Sequence, residues 1–329
     1  MKIHRKIRIF ALIAVTVPIV VSCCSGKKIT EKEYPVTAQA RLLRDHVEFM
    51  CSREKARNYR NIDALNACAD YIKIAFQSAG LNVEEQAYKV SNHRVVNQEY
   101  KNIIAATPVD LTKPFTVVGA HYDCCMELPG ADDNASAVAV LIETAKIIGA
   151  LPREAQPKNL IFVAYTLEEP PFFGTEKMGS YVHAESLVSE GIDVKLMICL
   201  EMLGYFSDQD DSQDYPVAGM SLIYPSVGNF IGVIGNMNSR SEASLMKQYL
   251  KLYAQLPTEK IAVPFMESVT GLSDHRNYWK FDIPAIMITD TAFMRNKNYH
   301  TRGDTPDTLS YDKMARITHA LAVFLQEEN

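Results

Sequence analysis

The chain lacks the marks of several functional classes. It has no basic excess: 34 lysines and arginines stand against 39 aspartates and glutamates, a formal net charge of −5. A nucleic-acid partner requires a basic face to neutralise phosphates, so none is expected. No stretch is rich enough in proline, glycine or serine to divide the chain, and no internal repeat is visible, which excludes tandem modules and points to one core. A membrane-spanning run is missing too. The longest apolar stretch, IFALIAVTVPIVVS, has 14 residues, short of the roughly 20 a spanning helix needs.

That stretch has another use. Lys2, Arg5, Lys6 and Arg8 precede it and Cys23 follows it, the layout of a secretory signal. Val20-Val21-Ser22-Cys23 resembles the bacterial lipobox, so residues 1–22 are expected to be a lipoprotein signal peptide, with a lipid on Cys23. Residues 23–35 then form a polar leash, and 36–329 the folded domain of an exported, membrane-anchored protein. Six further cysteines occur, at 24, 51, 68, 124, 125 and 199. Export permits disulfides, but spacing does not choose a pairing. Cys199 lies in an apolar run and reads as a buried free thiol.

Helical patterning covers RLLRDHVEFMC and NIDALNACADYIKIAFQSAG, with Gly80 as the stop. LNVEEQAYKV and NQEYKNIIAAT alternate like half-buried strands. Four apolar runs, FTVVGA, NLIFVAYT, KLMICL and PAIMIT, read as strands covered on both faces. Helical stretches separate them, and TLSYDKMARITHALAVFLQEEN closes the chain. The expected fold is a single α/β domain: a central, mixed, mostly parallel sheet with helices on both faces. The acidic segment SDQDDSQDYP does not match the spacing of a calcium loop and is expected to be a solvated loop.

Each main strand runs into an acid or a histidine: His121 and Asp123, Glu168 and Glu169, Glu201, and Asp290. In open α/β sheets ligands bind beyond the carboxyl ends of the strands. One such residue is ordinary, since strand ends meet solvent. Glu168, Glu169, Asp132, Asp133, Asp123 and Glu201 crowded into one crevice would repel severely unless divalent cations lay among them. Carboxylate with imidazole suits zinc, with manganese or cobalt as other candidates.

The series HYD, GADDNAS, LEEPPFFGTEKMGS, LEMLGY, GLSDHRNYW and YHTRGDTPDTL, in that order, resembles the double-zinc aminopeptidase family, the family of bacterial leucyl-type aminopeptidases with glutaminyl cyclases as relatives. The resemblance covers nearly all the chain after the leash. It implies a zinc exopeptidase fold holding two Zn2+ per chain, with His121, Asp133, Glu169, Glu201 and His300 as metal ligands. Asp133 would bridge, His121 and Glu201 completing one site and Glu169 and His300 the other. Asp123 would accept the other ring N–H of His121, and the Asp133–Asn134 peptide would be cis. Glu168 matches the general base that takes a proton from the activated water, and Tyr299 is placed to donate its hydroxyl to an oxyanion.

His275, in SDHRNYW, rivals His300 as a ligand; position in the motif favours His300 and leaves Asp274 and His275 behind or beside the pocket. The other histidines are expected to lack acid partners. The resemblance completes its ligand set without Cys124 and Cys125, which are expected to line the loop or form a vicinal disulfide and not to bind the catalytic metals. Glu201 stands where many members of the family carry aspartate. Phe172 and Phe173 are expected to wall a substrate pocket, and with Phe293 and Met294 they suggest an apolar first residue. The implied activity is removal of N-terminal residues from peptides with a free N-terminus. The alternatives are a single-zinc glutaminyl cyclase and a non-catalytic peptide-binding ectodomain of the same fold.

Overall fold

The computed structural model describes residue 29 and residues 32–34, 38–52, 54–217, 219–262 and 267–328. The signal peptide, Cys23 and most of the leash therefore lie outside the described residues. Among those described, no helix is long and apolar enough to cross a membrane.

Eight strands form one sheet: β1 (Asn82–Val90), β2 (Gln98–Ala106), β3 (Phe115–His121), β4 (Leu160–Tyr165), β5 (Val194–Glu201), β6 (Ile231–Gly235), β7 (Thr258–Ala262) and β8 (Ala285–Thr289). Their order is β1-β2-β4-β3-β5-β8-β6-β7. β4-β3, β3-β5, β5-β8 and β6-β7 pair in parallel, while β1-β2, β2-β4 and β8-β6 are antiparallel. The mixed, mostly parallel sheet matches the sequence expectation.

Side chains alternate cleanly across the central strands. Leu160, Phe162 and Ala164 of β4 enter one core with Val118 and Ala120 of β3 and Ile198 and Leu200 of β5. Ile161, Val163 and Tyr165 enter the other with Val117 and Cys199. The first core is covered by α1 (Ala40–Cys51), α2 (Ile62–Ser78), α3 (Ala137–Gly149), α5 (Arg240–Tyr249) and α8 (Tyr311–Glu328). The second lies under α4 (Gly179–Ser189) and α7 (His275–Trp279), which follows the one-turn α6 (Glu267–Thr270). Fully burying each Leu, Ile, Val or Phe favours folding by roughly 1.5–3 kcal/mol, so both faces help hold the sheet in place under the site.

α2 stops where expected. Gly80 has φ 75°, a left-handed turn that costs glycine little. His46 departs from expectation. Its Nδ1 lies 2.7 Å from the Tyr71 hydroxyl and its Nε2 2.9 Å from Glu143 Oε1, so it does have an acid partner, brought from α3. Spacing could not show a partner 97 residues away. Cys51, Cys124, Cys125 and Cys199 are free thiols, Cys199 buried as expected.

The loop from β3 to α3 is pinned by Arg57, a buried arginine between α1 and α2. Its guanidinium donates to the carbonyls of Tyr122, Pro129 and Gly130 at 2.9, 2.6 and 2.6 Å. A planar fork with several donors suits three carbonyls converging from one loop.

Candidate metal centre

The carboxyl ends of β3, β4 and β5 lie side by side, and the segment that follows each contains a left-handed residue. Leu167 (φ 60°) precedes Glu168, Met202 (φ 46°) follows Glu201, and Met126 (φ 49°) follows Cys125. A strand's pleat sends neighbouring side chains to opposite faces. Breaking it at these positions lets Glu168 and Glu169 share one crevice, helped by the break at the cis Pro170–Pro171 bond. Asp123 completes the arrangement: its two carboxylate oxygens accept the N–H groups of Glu168 and Glu169, each at 3.1 Å. Its Oδ1 also lies 3.4 Å from His121 Nδ1, on the side expected of a carboxylate that orients the ring.

Asp133 is presented by the turn before α3. Gly130 has φ 63°, and a Cβ there would meet the Asp133 carbonyl oxygen at 2.4 Å, so no other residue fits. Asp304 holds the turn from outside, accepting the N–H groups of Asp132 and Asp133 at 2.8 and 3.1 Å. The Asp133–Asn134 peptide is cis, as the resemblance implied. Asn134 ties the turn to the β5 end, donating to Leu200 O at 3.1 Å and accepting from Met202 N–H at 2.8 Å.

These supports bring five distant residues together. His121 Nε2 lies 3.4 Å from Asp133 Oδ1 and 3.5 Å from Glu201 Oε2. His300 Nε2 lies 3.0 Å from Asp133 Oδ2 and 3.3 Å from Glu169 Oε2. One oxygen of Asp133 therefore serves each imidazole. Glu201 is buttressed by the Ser273 hydroxyl, which fixes its longer arm. Two groups have the ligand-atom spacing for a metal ion: His121, Asp133 and Glu201; and Cys125, Glu169 and His300.

The electrostatics call for cations. Burial, then the neighbouring charge of Asp133, pushes the Glu169 carboxyl up to about 8. Burial also raises Glu168 well above the carboxylate range, with Glu201 and Glu169 adding to the rise. Asp133 goes the other way: against the effect of burial, His121 and His300 hold it below the usual range. Against burial, Asp133, Cys125 and Glu169 hold the His300 imidazolium up to about 12. Glu169 Oε1, His300 Nε2 and His121 Nδ1 are buried without hydrogen-bond partners. Orphaned donors and acceptors among crowded carboxylates are what divalent ions relieve, and this O and N donor set fits zinc.

Other expectations fare differently. Glu168 Oε2 faces the first group, 3.9 Å from His121 Nε2. Tyr299 stacks on His300, ring centroids 3.8 Å apart, with its phenol raised by burial and by Asp133 and Glu169. Of the adjacent aspartates, only Asp133 serves the metal groups. Asp132 turns away to accept from Gly204 N–H and the Asn296 amide, at 2.9 and 2.8 Å. Asp290 likewise caps the next loop, accepting from Tyr205 N–H at 2.8 Å.

Three proposed pocket residues are corrected. Phe172 is buried in the core, its ring edge against Tyr59 at 5.3 Å. Phe173 lies under the Arg276 guanidinium at 4.7 Å. Neither lines the cavity beside the site. His275 is fully buried, its Nε2 2.9 Å from the Thr270 carbonyl and its ring on the Trp279 edge at 4.5 Å. Burial lowers it to about 4. It supports Thr270, which does line the cavity, and does not itself face substrate. Two adjacent aromatics cannot announce that one of them packs into the core.

That cavity, of about 90 Å³, opens beside Glu201 and Tyr299 and is walled by apolar side chains including Phe230, Val269, Met287, Phe293 and Met294. Phe293 and Met294 are thus where they were expected. Sequence reasoning passed over Asp304, although it lies in the same quoted motif as His300, and over Ser273, Asn134 and Arg57, whose roles depend on partners far along the chain.

The model of peptidase family M28 matches residues 102–325. The YfbL protein of Escherichia coli (strain K12) is 41% identical over 300 residues, 88% of this chain and 89% of its own length. Leucine aminopeptidase 1 of Coccidioides posadasii is 26% identical over 237 residues, 67% of this chain but only 54% of that protein. The crystal structure of Porphyromonas gingivalis glutaminyl cyclase superposes with a TM-score of 0.66 at 18% identity, covering 89% of this chain and 99% of that one.

Proposed function

This chain belongs to peptidase family M28, and on that footing we propose that it is a two-zinc aminopeptidase favouring an apolar first residue. The observation that carries the reading is the sharing of Asp133, with Oδ1 3.4 Å from His121 and Oδ2 3.0 Å from His300. A carboxylate so divided, with an acid beyond each histidine, is arranged for two cations.

His121, Asp133 and Glu201 would hold one ion, and Asp133, Glu169 and His300 the other. When bound, zinc supplies polarisation of a carbonyl oxygen and a lowered pKa for water. The rest falls to the chain. The apolar cavity seats the first side chain, while the carboxylates around Glu201 and Glu169 attract the free amine. Glu168 accepts the proton of the attacking water and delivers it to the leaving amine, its backbone held by Asp123. Tyr299, beside the same carboxylates, donates its hydroxyl to the developing oxyanion.

A panel of aminoacyl amides and peptides tests this. Leucyl, methionyl and phenylalanyl substrates should be hydrolysed faster than aspartyl or lysyl ones, and chelation should stop all of them. Cyclisation of N-terminal glutamine without peptide-bond hydrolysis would replace this reading by that of a glutaminyl cyclase. No turnover in zinc-loaded protein would favour the binding ectodomain.

We also propose export and lipid attachment at Cys23, on the N-terminal pattern alone. Metabolic labelling of the full chain with a radioactive fatty acid should incorporate label that Cys23→Ala abolishes. Equal labelling of that variant would remove the anchor.

A further inference from the structure

The family resemblance assigned Glu169, His300 and the shared Asp133 to the second ion and left both cysteines out. The two cysteines prove not to be alike. Cys124 turns away: its thiol donates to Leu128 O at 3.3 Å, and its N–H donates to Arg57 O at 3.1 Å. Cys125 turns inward. Its Sγ lies with one ligand atom each of Glu169 and His300, all within 4.8 Å of one another, and it lines the same small void as Asp133 and His300. Both thiols are free.

We propose that Cys125 is a fourth protein ligand to the ion held by Asp133, Glu169 and His300. The inference rests on the metal-centre reading above and deepens it. Three observations beyond the thiol's position carry it. Glu169, 4% exposed, has Oε1 buried without a hydrogen-bond partner, and His300 Nε2 likewise has only carboxylate oxygens near it and no aligned hydrogen bond. The backbone fixes position 125 on both sides, through Arg57 before it and through Asn58, whose amide donates to the Met126 carbonyl, after it. The left-handed Met126 then ends the segment, so the thiol is held toward the group by the chain's path.

The chemistry fits. Thiolate is among zinc's preferred ligands, and binding releases the thiol proton to solvent. One sulfur, one imidazole nitrogen and two carboxylate oxygens make four protein ligands, the number that closes a tetrahedral zinc site. His121, Asp133 and Glu201 supply only three, the number typical of a zinc that keeps a place open. The two positions are therefore unequal. The sulfur-bearing one is held tightly and closed. The open one is also the position that Glu168 faces, 3.9 Å from His121, and whose Glu201 borders the apolar cavity. Sulfur would also discriminate against magnesium and manganese at the closed position.

Cobalt substitution tests this without an activity readout. The full chain, stripped and titrated with Co2+, should take up two equivalents, and one should give a sulfur-to-cobalt charge-transfer band in the near ultraviolet. Cys125→Ser should lose the band and bind that equivalent at least about tenfold more weakly, the lower end of what even a residue supporting a metal ligand costs. Cys124→Ser should keep the band. Two bound equivalents without a band in the wild-type protein, or a band that survives Cys125→Ser, would overturn the assignment and leave the two-metal reading standing. Failure to bind cobalt at all would overturn both. Absence of the band from the wild-type spectrum overturns the assignment even if a variant does not fold.

Discussion

Replacing Glu168 by glutamine is expected to lower kcat for an aminoacyl amide by about 10²–10⁴-fold, the usual contribution of a general acid–base group. Glutamine keeps the size and shape of the side chain and cannot take a proton. The backbone that places it is unaffected, because Asp123 binds the N–H of residue 168 and not its side chain. Glu168 is also outside both groups with metal-ligand spacing. The expected signature is therefore specific: kcat falls, KM stays within a small factor, and metal content measured by elemental analysis is unchanged. Lost metal would mean that Glu168 acts as a ligand. Unchanged kcat would mean that another group moves the proton.

This separation of Glu168 from Glu169 was only partly legible in the sequence. Adjacent acids at a strand end announce a crevice, because the apolar run before them must be a strand and strand ends converge. Their sharing of one face depends on Leu167 adopting a left-handed backbone and on Asp123 gripping two consecutive N–H groups, neither of which composition reveals. The five expected ligands came from elsewhere: the resemblance carried by HYD, GADDNAS, LEEPPFFGTEKMGS, LEMLGY and YHTRGDTPDTL implies them, and the structure brings them together. The central strands were legible as well, since NLIFVAYT and KLMICL are apolar on both faces. β6 and β7 were not. IGVIG is a five-residue run with two glycines, and TEKIA at the sheet edge is half-exposed and polar, so neither carries a strong period. Phe172 was misplaced because aromatic character says that a side chain is buried, not whether protein or substrate buries it. The two adjacent cysteines were judged together, and the fold separates them: one thiol is bonded to a loop carbonyl and the other is spaced with Glu169 and His300.

Removal of the metals should show in stability as well as in turnover, and with a definite dependence on pH. In the metal-free chain Glu169 lies at about 8, and Asp274 and Asp304 at about 7, all raised first by burial. His300 lies at about 12, its imidazolium held by Asp133, Cys125 and Glu169 against the effect of burial. All four folded-state values exceed the unfolded ones. Between pH 6.5 and 8 the folded chain therefore binds more protons than the unfolded chain, and stability falls as pH rises. Below about pH 6.5 the trend is opposed by His183 and His275, which burial lowers to about 3 and about 4. Those two cost stability as acid charges them in the unfolded chain. Cations among the carboxylates supply the missing positive charge, so the loaded protein should lose most of the slope above pH 6.5. Zinc at about a thousand times its dissociation constant would stabilise by about 4 kcal/mol, or roughly 10 °C in Tm for a chain of this size. The Tm gap between zinc-loaded and chelated protein should widen from pH 6.5 to pH 8 in scanning calorimetry at fixed free zinc. A gap that stayed constant, or narrowed, would mean that the carboxylates around Asp133 are neutralised by something other than metal, and the two-cation centre would have to be abandoned.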